Sequence, residues 1–251
     1  MNRLIFLTIA AFITLTTPYG QNASKQTPAE QQSNFDKKYW YDFDGKLGGM
    51  EIQLSIYIPD KGNVLKGNYC YKKYENKIQL EGVVKDNKIE LTEFLNDKPN
   101  GYFKGTFFTD DRDRFEGTWT DASKTKQLEF KMTLQSSTHS DSPDKHYDFW
   151  GTDKDIENFM KKVKQSIAEG NKEWIANHIS YSLKTTINGK KAITIKNKQQ
   201  FIDNFEQIFY PAYKEKIKKL CVCNMFYNMN GIMLGNGEIW IDGKMIIAIN
   251  N

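Results

Sequence analysis

Residues 220–250 read LCVCNMFYNMNGIMLGNGEIWIDGKMIIAIN. Leu220–Tyr227, Ile232–Ile241 and Met245–Asn250 are predicted to form three consecutive β-strands, joined at Asn228-Met229-Asn230-Gly231 and Asp242-Gly243. Asn-Gly and Asp-Gly suit hairpin turns because both central positions take positive φ. A curved meander of this kind cannot bury its own apolar face, so it needs helices against it. Gly235 and Gly237 are too sparse for a phosphate-binding loop and fit strand curvature or a bulge.

The covering helices are legible upstream. Thr152 with Asp155 forms a capping box. Ile156, Phe159, Met160, Val163 and Ile167 then make one apolar stripe, which Gly170 ends. Asn171 caps a shorter helix carrying Trp174, Ile175, His178 and Ile179 on one side. A hairpin over Lys184–Ile187 and Lys191–Ile195 turns at Asn188-Gly189. Asn197 caps a third helix with Phe201, Ile202, Phe205, Ile208 and Phe209, Pro211 ends it, and Ala212–Lys219 continues as a short helix.

This order (helix, short helix, hairpin, helix, meander) resembles the nuclear-transport-factor-2-like, or SnoaL-like, superfamily of cystatin-like cones. The corner Ala168-Glu169-Gly170-Asn171-Lys172-Glu173-Trp174-Ile175-Ala176 is similar to its helix–Gly–Asn–helix corner. The resemblance covers Asp153 to Asn250. It implies an α+β cone over residues 151–251, with helices packed on a curved antiparallel sheet around a pocket. Enzymes of that superfamily place an Asp or His base, often with a Tyr, inside the cone; no matching pair stands out here.

Residues 38–135 follow a different period. Met50, Ile52, Leu54, Ile56 and Ile58 share one face of a strand. The alternation returns at Leu65–Tyr71, Ile78–Val84, Ile89–Leu91, Phe103–Phe107, Phe115–Trp119 and Leu128–Leu134. With Tyr39–Phe43 that makes about eight strands at even spacing, an antiparallel β-barrel. Gly67-Asn68-Tyr69, Gly105-Thr106-Phe107 and Gly117-Thr118-Trp119 repeat a Gly-x-aromatic form. In strand number and glycine–aromatic spacing this half resembles avidin-like and lipocalin-like up-and-down barrels. No biotin-binding set maps onto it, and the lipocalin Gly-x-Trp is missing, so the ligands of those families are not carried over. Tyr69, Tyr71, Phe107 and Trp119 either line a pocket or fill the barrel, since eight strands leave room that side chains alone can fill.

The fold expected is therefore α+β: a barrel domain, a polar linker over residues 136–150, and the cone. His139 and His146 sit in the linker and are expected to be solvated. Residues 21–37 are polar and read as a disordered lead-in. Arg3 followed by the apolar run Leu4–Leu15 reads as a signal peptide over residues 1–20, cut near Gly20–Gln21. The run is too short to span a bilayer comfortably. An exported chain, periplasmic or extracellular, with no stable membrane insertion, is expected.

The net charge is +4. The barrel is close to neutral and the second domain carries an excess of roughly five positive charges, a solvated face rather than a nucleic-acid surface. The three cysteines are an odd number, so in an oxidising compartment at least one lacks an intramolecular partner. Cys221 and Cys223 lie two apart on a predicted strand, a poor geometry for pairing with each other. They read as small core residues, with two alternatives: one pairs with Cys70, or the pair binds metal or does redox work. Cys70 lies on the barrel's outer face, partly exposed or covered by the second domain.

His178 is the best candidate base, on an apolar helix face one turn from Trp174, although a satisfied core histidine is the favoured reading of it. Tyr181 follows it. Glu238 and Trp240 either point into the cone mouth or form a solvent-side pair. Histidine is scarce and no paired carboxylate cluster appears, so neither a metal nor a cofactor is expected. The function expected is a non-catalytic exported binding protein for a small apolar or aromatic ligand or a protein partner. The alternative is a small hydrolase or isomerase using His178 or Glu238. Convergence of His178, Tyr181 and Glu238 in one cavity separates the two.

Overall fold

The computed structural model describes residues 35–62 and 64–251. The expectation of a signal peptide, and all but the end of the expected lead-in, lie outside the described residues.

Strands β1 (Tyr39–Leu47), β2 (Met50–Ile58), β3 (Val64–Tyr71) and β4 (Ile78–Lys85) are followed by β5 (Lys88–Leu95), β6 (Lys98–Phe108), β7 (Arg114–Asp121) and β8 (Gln127–His139). They close an antiparallel barrel in sequence order, with β8 returning to β1. Closure leaves no strand edge exposed to stray pairing. The inward positions are those of the alternation: Leu54, Ile56, Leu65, Phe103, Phe115 and Met132 are fully buried. Ring contacts such as Phe115–Phe130, 4.7 Å between centroids, fill the interior. Gly105 and Gly117 face each other across β6 and β7. A Cβ on Gly117 would fall on the Lys104 carbonyl and the Gly105 backbone, so this crossing tolerates no side chain.

Three boundaries differ from the sequence reading. Phe35, assigned to the lead-in, is buried against Tyr41 and Phe107 at one end of the barrel. Ser136–His139, assigned to the linker, continue β8 and pair with β1. His146, expected to be solvated, is fully buried, whereas His139 is exposed. Phe35 joins the barrel's own core, and His146 is buried because β1–β3 are covered on both faces. Trp40, Asp42, Ser55, Tyr57, Asn68 and Cys70 point away from the barrel core and are still buried. The connection after β8 lies over them: Trp40 Nε1 donates to the Lys145 carbonyl at 3.0 Å, and the Tyr57 hydroxyl donates to the Ser140 carbonyl at 2.9 Å. A polar connection can be buried where its backbone groups find partners.

Helix α1 (Asp153–Glu169) carries the expected Thr152–Asp155 capping box and ends at Gly170 in the left-handed region. Helix α2 (Lys172–Asn177) is capped by Asn171 and closed by His178. Hairpin β9 (Leu183–Ile187) and β10 (Lys191–Ile195) turns at Asn188 and Gly189, both at positive φ. Helices α3 (Lys198–Ile208) and α4 (Pro211–Lys219) follow. The last sheet has four strands, not three: β11 (Phe226–Asn228), β12 (Gly231–Leu234), β13 (Ile239–Asp242) and β14 (Met245–Ile249). Gly235 (φ 65°) and Gly237 (φ 104°) break the predicted strand Ile232–Ile241 into β12 and β13, a turn rather than a bulge. Ile156, Val163, Phe201, Ile232, Ile239 and Ile246 are fully buried in one core between these helices and the sheet. The region is a mixed α+β arrangement, with its hydrophobic core separate from the barrel's.

Residues 220–225 are not a strand. Their backbone N–H groups bond to side chains instead. Val222 N donates to Glu75 at 3.2 Å, Asn224 N to Glu157 at 3.1 Å and Met225 N to the Tyr147 hydroxyl at 2.8 Å. The segment is thereby laid against the outer face of β3. A disulfide joins Cys70 to Cys223 across that contact, with Cα atoms 6.7 Å apart. This corrects the expectation of small unpaired core cysteines in favour of the first alternative.

Candidate functional site

The predicted barrel residues converge on a group the sequence reading missed. Glu93 follows Ile89 and Leu91 on β5 and is 2% exposed. Its carboxylate accepts from the Tyr69 hydroxyl at 2.8 Å, from Trp119 Nε1 at 2.9 Å and from Asn100 Nδ2. Tyr71 stands edge-on to Tyr69, 5.6 Å between centroids. Burial, reinforced by the Glu93 charge, pushes the Tyr69 hydroxyl far above its ordinary value, so it stays protonated and donates. Tyr69, Tyr71 and Trp119 thus surround a satisfied carboxylate near one end of the barrel, while Phe107 is plain core. The signal was available: position 93 continues the inward alternation of 89 and 91.

The candidates from residues 151–251 do not converge. Glu238 is 4% exposed; its carboxylate pairs with Lys216 at 2.6 Å and accepts from Asn236 N at 2.6 Å. Burial acts to raise its pKa, but the Lys216 bond and the backbone N–H groups outweigh it and hold it below the ordinary carboxylate value. Glu238 is therefore tied into the Gly235–Gly237 turn and is buried rather than on the solvent side. Trp240 lies across from Met233, with Phe226 6.3 Å away. Tyr181 donates to the Ala176 carbonyl at 2.9 Å, and burial pushes its hydroxyl up to about 12. His178 stacks on Trp174 at 3.9 Å, and its Nδ1–H donates to the Trp174 carbonyl at 2.7 Å. That bond leaves Nε2 as the acceptor nitrogen. His178 lines a cavity of about 580 Å³ with Trp150, Asp155, Phe159 and Lys244, and neither Tyr181 nor Glu238 is among its walls.

His146 belongs to a buried polar set that holds the connection on the barrel. Its Nε2 lies 2.8 Å from Asp42, which also accepts from Ser136 at 3.0 Å and from Ser55. The serines and the histidine all address the carboxylate. Ser55 and Ser136 bond to Asp42 rather than to the imidazole, an arrangement unlike a nucleophile–base relay.

A further opening, with a volume of about 810 Å³, lies between the outer face of β3–β4 and α1. That is the size of a small-molecule site. One wall carries Lys66, Lys77, Gln79 and Glu81, the other Asp153, Lys154, Asn158 and Lys161, and Trp40 and Pro143 also line it. Its base is fixed. Lys77 pairs with Glu157 at 2.6 Å, and Glu157 also accepts from Tyr147 at 3.1 Å. Asn224 Nδ2 donates to Asn68 at 2.8 Å, and Lys164 pairs with Glu75 at 2.8 Å. Both signs of charge and several amides face a cleft whose walls are tied together below it. The sequence reading missed it because its walls come from residues far apart in the chain.

Among the described residues no helix is long and apolar enough to cross a membrane. No protein-family model matches the chain, and no curated protein matches it.

Proposed function

We propose that the chain is a non-catalytic binding protein whose ligand lies in the cleft between β3–β4 and α1. The observation that carries this is the cleft's construction: a cavity of about 810 Å³ whose facing walls are joined by the ion pairs Lys77–Glu157 and Lys164–Glu75. Walls held in place before binding spare the ordering cost that a ligand would otherwise meet. Lysines, carboxylates and amides on the same walls favour a polar ligand with both charge signs, such as a peptide segment, over the apolar or aromatic ligand expected from the sequence. Export is part of the proposal, supported by the apolar run Leu4–Leu15 and by the disulfide, which persists in oxidising compartments. So is a nuclear-transport-factor-2-like cone for residues 151–251, supported by the element order.

The test is equilibrium dialysis of the full chain against pools of short mixed-charge peptides and of neutral oligosaccharides. Gln79 is exposed on the β4 wall, and Gln79→Trp puts a bulky ring into the cleft without touching the His178 cavity. Peptide retained by the wild type and lost by Gln79→Trp supports the proposal. Equal retention by both, or retention of nothing, refutes it.

A second reading, a small hydrolase or isomerase, is favoured by one observation only. His178 presents a fixed tautomer to the wall of a separate cavity. Glu238, the other residue proposed for this reading, pairs with Lys216 and does not line that cavity.

A further inference from the structure

The disulfide has a third sulfur beside it. Cys221 Sγ lies 3.7 Å from Cys70 Sγ, and all three sulfurs lie within 4.8 Å of one another. We propose that Cys70, Cys221 and Cys223 form an internal thiol–disulfide exchange site, in which Cys221 displaces Cys223 from Cys70.

The step is balanced within the chain. The Cys221 thiol loses its proton to water, and the thiolate electron pair forms a bond to Cys70 Sγ. The Cys70–Cys223 bond breaks, its electron pair leaves with the Cys223 sulfur, and that sulfur takes up a proton. One disulfide and one thiol are present before and after, so no oxidant or reductant is consumed. Cys70 is the pivot because Cys221 stands at contact distance from it, beside the Cys70–Cys223 bond, and a swing of the Cys221 side chain toward the axis of that bond precedes attack. Attack on Cys223 would give a bond between residues two apart, a strained geometry. Either isomer ties β3 to the segment 220–225.

The isomers differ in the thiol they leave. Cys221 is partly exposed, whereas Cys223 is fully buried. Exchange therefore turns a reachable thiol into an unreachable one while the tether persists. It also shifts the anchor by two residues along the segment that bonds to Glu75 and Glu157, both of which line the cleft.

The surroundings set the rate. Burial is the main effect on the Cys221 thiol and pushes it up to about 11. A backbone N–H from Cys223 opposes this; the Glu75 carboxylate adds to it; Lys164 on α1 and Lys72 beyond β3 oppose it. Only the thiolate attacks, so below that value the rate rises tenfold per pH unit.

The test uses the full oxidised chain. Samples held at pH 7 and pH 9 are quenched over time into acid with denaturant, which exposes a buried thiol as well, the free thiol is alkylated in the unfolded chain, and fragment-ion spectra place the tag on Cys221 or Cys223. The expected result is a tag on both positions, approaching a constant ratio about 100-fold faster at pH 9 than at pH 7. A tag confined to Cys221 at both pH values after a day overturns the proposal. Cys223→Ser gives a second reading: it is expected to fold with a Cys70–Cys221 disulfide. A folded Cys223→Ser chain with two free thiols in air also overturns it.

Discussion

Glu93→Leu puts the barrel-end network to a quantitative test. Glu93 is 2% exposed and holds three donors, from Tyr69, Trp119 and Asn100. A leucine of similar volume keeps the packing and strands all three. A buried donor without a partner costs about 1–3 kcal/mol. Trp119 and Asn100 are half-buried and can reach water after small movements, but Tyr69 is 1% exposed and cannot. The expected loss is therefore about 3 kcal/mol, dominated by the Tyr69 hydroxyl. Tyr69→Phe in the wild type removes a hydrogen bond to an ionised acceptor, a loss of about 2 kcal/mol. In the Glu93→Leu background the same change removes a stranded hydroxyl and is expected to recover about 1 kcal/mol. The assay is urea unfolding of all four proteins, followed by tryptophan fluorescence and checked by circular dichroism for a shared transition. A change of sign for Tyr69→Phe between the two backgrounds is the signature. If Tyr69→Phe costs the same in both, the hydroxyl and the carboxylate are uncoupled and the reasoning fails.

The sequence separation of 153 between Cys70 and Cys223 makes the disulfide a long-loop tether, worth roughly 5 kcal/mol at most in the chain-entropy account. Cys70→Ser should lower urea stability by several kcal/mol, and Cys223→Ser by much less, because Cys221 remains beside Cys70. Gly117→Ala should destabilise the barrel far more than Gly62→Ala, since a Cβ at Gly117 meets backbone and one at Gly62 meets nothing; thermal melts compare them. Glu238 has its folded pKa held below the ordinary value of 4.5, so its contribution is present above that value and is lost as pH falls through the depressed pKa. Lys216→Met should shrink the stability difference between pH 7 and pH 3 in urea melts; an unchanged difference counts against the ion pair.

Much of the fold was legible because local rules agreed with it. The barrel strands follow a period of two, and the Thr152–Asp155 box, the Asn197 cap and the Asn188-Gly189 turn all stand where local chemistry puts them. The misreadings share one origin, contacts between residues distant in the chain. His146 looked solvated because its neighbours are polar, yet Asp42 on β1 pairs with it. Residues 220–225 look like a strand, yet Glu75, Tyr147 and Glu157 take their N–H groups. Glu93 differs, because its place in the alternation marked it as inward. A carboxylate there was overlooked because its three donors come from β3, β6 and β7. Gly235 and Gly237 admit both a bent strand and a turn; the bond from Asn236 N to the buried Glu238 carboxylate favours the turn.

Native mass spectrometry of the full chain, purified gently, tests the binding account most directly. The wild type is predicted to carry a discrete added mass that Gln79→Trp lacks. A bare wild-type mass, or the same added mass on Gln79→Trp, contradicts a ligand in the cleft between β3–β4 and α1.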